Sequence, residues 1–490
     1  PLIDVSSTEV GEVINQELLT KLPQPRFPTD IVAMTAGNVS GDSDYGSTMG
    51  GGGRANAYKL DGIDVSDPAT GTVWVFVNME SIEEMEVLPI SGANADVGGF
   101  TGAAMNMVTK SGGNDFSGGL AYYFFNEDFI TWNTDDQFLR ESEIRESYNN
   151  DITAHVGGPI LQDRAWFFGN VGRRLRERLL DEDALTYEYR NTMWKGSAVL
   201  GDAMNIYGTW HYDNYLREGR GAAYNVASEA TFDQEGPNKS FAVDYTWAID
   251  DNNLLDVKFH GWDGYFALVG NGEGAQYYDV DNDYYYNNGD GDYRTDRNRY
   301  NLVATLNNYQ KDLFGDHEFK LGVEYQRGQQ ETLWYWDVIE LVGGEFDYRY
   351  GAYPNFFGKN RVEGYTFYGL DSWSVNERLT INYGLRYEMI DYVIPDQETS
   401  SGTLAGLGTV HTFNNLAPRL GFTYQLTDKG STVLRGSAGR YYEGVFTYMF
   451  DQMTPSSAQY QEFYWDGAEW QLAYEEPYSS PEIYSVGDDL

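Results

Sequence analysis

The sequence predicts a mainly β chain: a small α+β domain followed by an antiparallel transmembrane β-barrel. Three observations carry that expectation. From about Phe116 onward, segments of roughly ten residues alternate apolar and polar side chains and are divided by turn clusters, as in strands with two unlike faces. Aromatic residues make up 16% of the chain, with 40 tyrosines, and glycine reaches 55, which suits interfacial girdles and tight turns. No run of about 18 apolar residues occurs, which excludes a helical membrane span and leaves a stranded one open. A mean hydropathy of −0.52 is compatible with a barrel, because lipid-facing and lumen-facing positions average out.

The α+β domain is centred on residues 51–119. Its apolar runs, AYKL from Ala57, MEVLPI from Met85 and AAMNMVTK from Ala103, are separated by Gly-, Asn- and Asp-rich turns. Asp61-Gly62 stands where a hairpin wants positive φ. Ser81-Ile82-Glu83-Glu84 predicts a serine-capped short helix with acids in its first turn. Leu60, Ile63, Val87, Met105 and Met107 are the expected core. Upstream, an extended start precedes a helical pattern through Ile14, Leu18 and Leu19. A second short helix is expected over Thr29 to Met34, and Gly37 to Gly53 reads as a flexible loop. By spacing alone an ordinary soluble α+β domain fits equally well.

In the second region, His317 to Gln326 sets Phe319, Leu321, Val323 and Tyr325 against Glu318, Lys320, Glu324 and Gln326. Arg378 to Glu388 repeats the scheme, with Tyr383 and Leu385 expected toward lipid and Asn382 and Arg386 toward the lumen. Alternation of this kind also fits a soluble sandwich with one wet face. Mid-strand charges on the polar face and Tyr, Phe and Trp on the apolar face weigh against the sandwich.

The function classes that composition touches are mostly excluded. A net charge of −42 argues against nucleic acid, which needs a basic stripe. The chain has no cysteine, so disulfides and thiolate metal sites are absent. The histidines at 155, 211, 260, 317 and 411 are scattered, and no HExxH, GxSxG or GxxxxGK[ST] pattern occurs, so neither metal catalysis nor a hydrolase is expected. Asp279, Asp281 and Asp283 with Asp290 and Asp292 begin like a calcium loop. Tyr284 stands where such a loop needs glycine, and a solvated loop is the plainer reading. The neighbouring tyrosines, 277, 278 and 284 to 286, could stack on a sugar or polyphenol.

The order of the motifs resembles the TonB-dependent outer-membrane receptors, Oar-like subgroup. Leu22-Pro23 with Arg26 looks like the "LPxxR" that opens their plug domain. Arg54, Tyr58 and Asp61-Gly62 look like "R…NVYLDGV", Ser81 to Val87 like "SIEEVEV", and Gly98 to Gly112 like the plug ending. Leu88 to Gly92 replaces the Arg-Gly-Pro of most siderophore receptors. Residues Ala154 to Arg174, Phe367 to Glu388 and Ala417 to Leu426 are similar to the "GGPIxKDRxFFF", "GLRYE" and "PRxGFxY" barrel strands.

The resemblance implies a plug over residues 1–112, with 1–20 a periplasm-facing lead-in, and the N-terminal portion of a barrel over 113–490. The roughly 375 residues after the plug, at about 25 to 30 per strand, supply about 12 to 14 strands against 22 in the family. An incomplete, open barrel is therefore expected, its free edge near Leu434 to Tyr442, followed by a polar tail over Thr454 to Leu490 with little regular structure. The implied function is import of an extracellular ligand (glycan, peptide or metal chelate) by plug movement, without enzymatic chemistry or cofactor. The alternative is surface adhesion on the same scaffold. The implied partners are a TonB-type protein, contacting a segment upstream of residue 1, and outer-membrane lipid. Asp44, Tyr45, Trp74, Phe76 and Asn94 are the candidate ligand contacts. Arg26, Arg54, Glu83, Glu84 and Glu86 are candidate plug-to-wall locks, and Asp61-Gly62 is the candidate plug turn.

Overall fold

A computed structural model of the chain describes residues 11–21, 38–39, 47–48, 54–89, 94–129, 145–180, 183–399, 402–427 and 432–479. The expected helix over Thr29 to Met34 and most of the Gly37 to Gly53 loop lie outside these residues.

Five strands form the plug sheet: β1 (Glu12–Asn15), β2 (Ala57–Leu60), β3 (Ile63–Asp64), β4 (Ile82–Pro89) and β5 (Ala103–Thr109), in the order β1-β4-β5-β2-β3. The helix α1 (Gln16–Lys21) follows β1, so Ile14 lies in a strand while Leu19 packs from a helical turn. Asp61 and Gly62 adopt φ of 49° and 84°, the left-handed pair that closes β2 on β3. The expected helix over Ser81 to Glu84 is not there. A 3-10 turn covers Met79–Ser81, capped by the Asn78 side chain on the Glu80 N–H, and Glu83 and Glu84 already belong to β4. Asn78 takes the cap one turn earlier than Ser81 could, and the alternation Met85-Glu86-Val87, after a bulge between Ile82 and Glu84, then favours strand over helix.

The plug core is apolar and closed. Val65, Val75, Ile82 and Met85 are fully buried, and Leu60, Val87, Met105 and Met107 join them in one cluster. The Ile63 side chain lies outside the described positions.

Thirteen long strands then form the wall: β6 (Ser117–Asn126), β7 (Arg145–Leu161), β8 (Ala165–Leu180), β9 (Asp183–Leu200), β10 (Met204–Arg220), β11 (Phe232–Asp250), β12 (Asn253–Gly270), β13 (Gly291–Gln310), β14 (Asp316–Val342), β15 (Phe356–Asn376), β16 (Leu379–Ile394), β17 (Gly408–Gln425) and β18 (Val433–Gly439). Each pairs antiparallel with its predecessor in this series. The alternation fixes the faces. On β16, Arg386 is 5% exposed and Leu385 48%, so the charge points into the lumen and the leucine outward. Tight turns such as 201–203 and 251–252 mark one end, and the longer connections after β12, β14 and β16 mark the other. In outer-membrane barrels these are the periplasmic and extracellular ends respectively.

The wall is open. Among the described residues β6 has a ladder with β7 alone and β18 with β17 alone. A ring through all the outer strands would have to pass from a hairpin over Gln459–Trp465 and Trp470–Pro477 to β6, and no ladder joins those two. That hairpin is itself a correction. The tail after Thr454 is not irregular, because Gln459–Trp465 pairs with Glu345–Tyr353 and Trp470–Pro477 pairs with Gln459–Trp465. Asp466-Gly467, with Gly467 at φ 97°, makes the turn. Alternating Tyr, Phe and Trp supplied a strand pattern that the polar character of the segment hides.

Candidate functional site

The plug sits against the lumen face of the wall, and acids on the plug meet bases on the wall. Asp61 is tied both to its own sheet and to the wall. It accepts from the Thr109 N–H at 2.8 Å and hydroxyl at 2.7 Å, tying its turn to β5. Lys195 of β9 lies 3.3 Å from the same carboxylate, and both side chains are 7% exposed. Further along the loop, Asp64 pairs with Arg299 of β13 at 2.5 Å and Asp67 with Arg297 two residues before it. Asp61, Asp64 and Asp67 recur every third residue, while Arg297 and Arg299 share one face of a strand. An acidic edge thus runs along a basic stripe.

Across a shared cavity, Asp96 meets Lys320 of the neighbouring strand β14 at 2.8 Å. Burial works against the charge of the Asp96 carboxyl, but the Lys320 ammonium and its hydrogen bond outweigh that and hold it below the ordinary range. Hydrogen bonds to backbone carbonyls and to uncharged and charged side chains complete the seam. Asn238 donates to the Trp74 carbonyl at 2.8 Å, and Asn78 donates to Thr153 at 2.8 Å. Tyr123 of β6 donates to Glu80 at 2.9 Å, and Arg386 reaches the Ala95 carbonyl. A Cβ on Gly98 would run into Arg386, so the glycine is what lets the plug approach β16 there.

Between plug and wall a polar cavity of about 460 Å³ remains, with Lys59, Glu86, Asn106, Lys258, Glu324 and Arg386 among its lining. The seam is therefore charged, hydrogen-bonded and partly open, unlike the plug's own core.

Of the residues singled out in the sequence, Trp74 is 9% exposed and rests edge-on against Phe266, with the Arg297 guanidinium 5.2 Å from its ring centre. Phe76 packs against Tyr189 and Tyr215 of the wall. The Asn94 carbonyl accepts from Arg419 of β17. Arg54 is exposed, donates to the Tyr448 hydroxyl and lies over that ring. Glu83 is exposed, Glu84 half-buried, and Glu86 accepts from Asn106 within the plug sheet at 2.9 Å. Gly62 is exposed at its turn. Arg26, Asp44 and Tyr45 lie outside the described residues. Sequence reading missed Asp64, Asp67, Asp96 and their wall partners. The three-residue recurrence of the acids was a visible signal; the partners, up to 235 positions away, were not.

The acidic loop is tied internally. Asp279 accepts from the Asp281 and Asn282 N–H groups, and Asp281 accepts from the Gly343 N–H at 2.6 Å. Among the described residues no group of three or more His, Cys, Asp or Glu side chains is arranged to hold a metal ion.

A wall of long strands with lipid-ready outer faces, its lumen occupied by a domain from the same chain, defines a plugged outer-membrane receptor. The chain belongs to the TonB-dependent receptor family: residues 170–471 match the family's model "TonB dependent receptor-like, beta-barrel". These are transporters and receptors of the Gram-negative outer membrane, not an enzyme family. The chain is 26% identical over 236 residues to the TonB-dependent transporter Oar of Myxococcus xanthus, a match covering 42% of this chain and 21% of that protein. The chain thus spans about a fifth of this curated relative's length. Among solved structures, the outer membrane transporter YddB from Escherichia coli superposes with a TM-score of 0.73 at 13% identity, covering 95% of this chain and 68% of that one. The siderophore receptor PirA from Acinetobacter baumannii gives 0.65 at 14%, covering 93% and 68%. At those identities the likeness is one of fold.

Proposed function

We propose that the chain is the plug and part of the wall of an importer that takes up an extracellular ligand by moving the plug, driven from the inner membrane through a TonB-type partner. One observation carries this reading. The plug is cohesive by an apolar core but joined to the wall by ion pairs and hydrogen bonds around a polar cavity. Water can replace such contacts one at a time as the plug shifts, which it cannot do for a dry apolar interface. No bond in the ligand is broken, and no catalytic residue is assigned. Trp74, Phe76 and Asn94, with Asp44 and Tyr45, remain the proposed plug-side ligand contacts, and residues 1–112 the proposed plug.

The test is uptake by cells making the full-length protein, offered fluorescent neutral oligosaccharide, basic peptide and ferric chelate in turn. Accumulation of one probe should stop with a protonophore or on deletion of the TonB-type partner, while surface binding persists. Surface binding with no energy-dependent uptake of any probe would favour adhesion and contradict import.

A further inference from the structure

Above the wall the chain builds a second sheet. Tyr284–Tyr286, Gln276–Asp279, the end of β14, Glu345–Tyr353, Gln459–Trp465 and Trp470–Pro477 lie side by side in that order. Its two faces differ, and β14 determines which one looks over the lumen. Even-numbered positions of β14 face inward, since Lys320 meets Asp96 of the plug and Gln330 accepts from Thr447. Trp336, Val338 and Glu340 continue that face. The register then sets Tyr348 and Tyr278 opposite Glu340, and Tyr350 opposite Val338. Farther out it sets Glu462 opposite Tyr350 and Tyr474, and Tyr464 opposite Tyr348.

The other face is packed. Ile339 and Leu341 are buried with Ala275 against Tyr277, Tyr286 and Trp470.

The lumen-side face is a set of rings interleaved with carboxylates. Tyr278 and Tyr285 stack at 4.5 Å, and Trp336 stacks on Tyr460 at 5.9 Å. Tyr348 donates to Glu462, as does Tyr460 at 2.7 Å, and Tyr474 donates to Glu476 at 2.7 Å. Those two hydroxyls hold the Glu462 carboxyl below its ordinary range, so it stays ionised at neutral pH. Tyr464 and Tyr474 are about half exposed, at 50% and 46%. Arg349 is the one Lys or Arg in these strands, and it points to the other face, where Asp337 takes it at 2.9 and 2.6 Å. No cation within the sheet therefore neutralises the lumen-side carboxylates.

We infer that this lumen-side aromatic and carboxylate face receives a positively charged peptide segment, its Lys or Arg side chains lying over tyrosine and tryptophan rings with Glu340, Glu462 and Glu476 as counter-ions. Charge complementarity selects the occupant. An anionic chelate would be repelled. A neutral glycan stacks and hydrogen-bonds on such a face but leaves the carboxylate charge uncompensated, whereas a guanidinium or ammonium gains both the ring face and the counter-ion. The inference rests on the reading that this face looks into the ligand entrance, but it concerns binding and not energised import.

The test uses the full-length protein in detergent with fluorescein-labelled hexa-arginine, and maltohexaose as the neutral probe. Hexa-arginine should bind, and the triple variant E340Q/E462Q/E476Q should raise Kd by at least about tenfold. A control triple at the periplasmic turns, D202N/D251N/E377Q, removes the same charge and should leave Kd within about twofold. Tyr474→Ala, a change to an exposed ring with little bearing on folding, should weaken hexa-arginine by about two- to tenfold. Equal weakening by both triples would mean attraction to net charge alone and would overturn the proposal. So would maltohexaose binding that is lost in Tyr474→Ala while hexa-arginine does not bind. Hexa-arginine bound normally but never imported by energised cells would count against the transport reading and leave this one standing.

Discussion

The plug's interior is held by apolar burial, whereas the seam around it is mainly charged and hydrogen-bonded, with aromatic packing at Trp74 and Phe76. Inside, Val65, Ile82 and Met85 are fully buried, each such side chain contributing about 1.5 to 3 kcal/mol by leaving water. At the seam, Asp61, Asp64, Asp67 and Asp96 meet Lys195, Arg299, Arg297 and Lys320. Ion pairs of this kind add little net stability because both partners lose hydration, yet removing one partner is costly. The difference teaches that the plug is built to stay whole and the seam to specify position. A domain that slid on an apolar interface would have to expose all of it at once.

The largest expected effect lies at the seam. Asp61→Ala leaves Lys195 buried without its carboxylate and Thr109 without two acceptor contacts. It should cost about 3 to 5 kcal/mol, seen as faster hydrogen exchange in β3 and β5. If exchange is unchanged, the seam pair has no positional role. Next comes the interior. Leu60→Ala, at a position 6% exposed, should cost about 2 to 5 kcal/mol of plug stability by leaving a cavity, with wall ladders unaffected. Parallel loss of wall protection would mean that plug and wall do not separate.

A smaller effect comes from acid. Because the folded Asp96 carboxyl is held below its ordinary value of 3.8, its contribution is present above that value and is lost as pH falls through the depressed one. Plug protection should therefore drop in strong acid, and Asp96→Asn should remove that component of the drop. The same drop in the variant would assign it to other carboxylates. The smallest effect belongs to the outer face of β13, where Arg294 and Asp296 pair at 2.8 Å with about half of each side chain exposed. Asp296→Asn should change stability by no more than about 1 kcal/mol. A loss as large as that at Asp61 would erase the contrast between seam and surface.

The wall was legible because period-two alternation is local: Leu385 and Arg386 can be assigned to opposite faces from their neighbours alone. The strand count followed from length, and the open edge at β18 from comparing that count with the plug it must enclose. The hairpin after Thr454 was missed although Asp466-Gly467 stands between two alternating runs, because the charges around it mask the pattern. The seam was illegible for another reason. Asp61 and Lys195 are 134 positions apart, and nothing local to either names the other. The lumen-side sheet above the wall needed the register of six strands before Tyr348 and Glu462 could be placed on one face.

The most direct measurement is a tether. A Cβ built on Gly384 of β16 lies 2.9 Å from the Ala95 Cβ of the plug, so a shift of about 1 Å brings a cysteine pair to disulfide geometry. The chain has no cysteine to compete. With A95C/G384C oxidised, energy-dependent uptake of the imported probe should cease while surface binding persists, and reduction should restore uptake. Uptake at the untethered rate with the disulfide intact would contradict a moving plug.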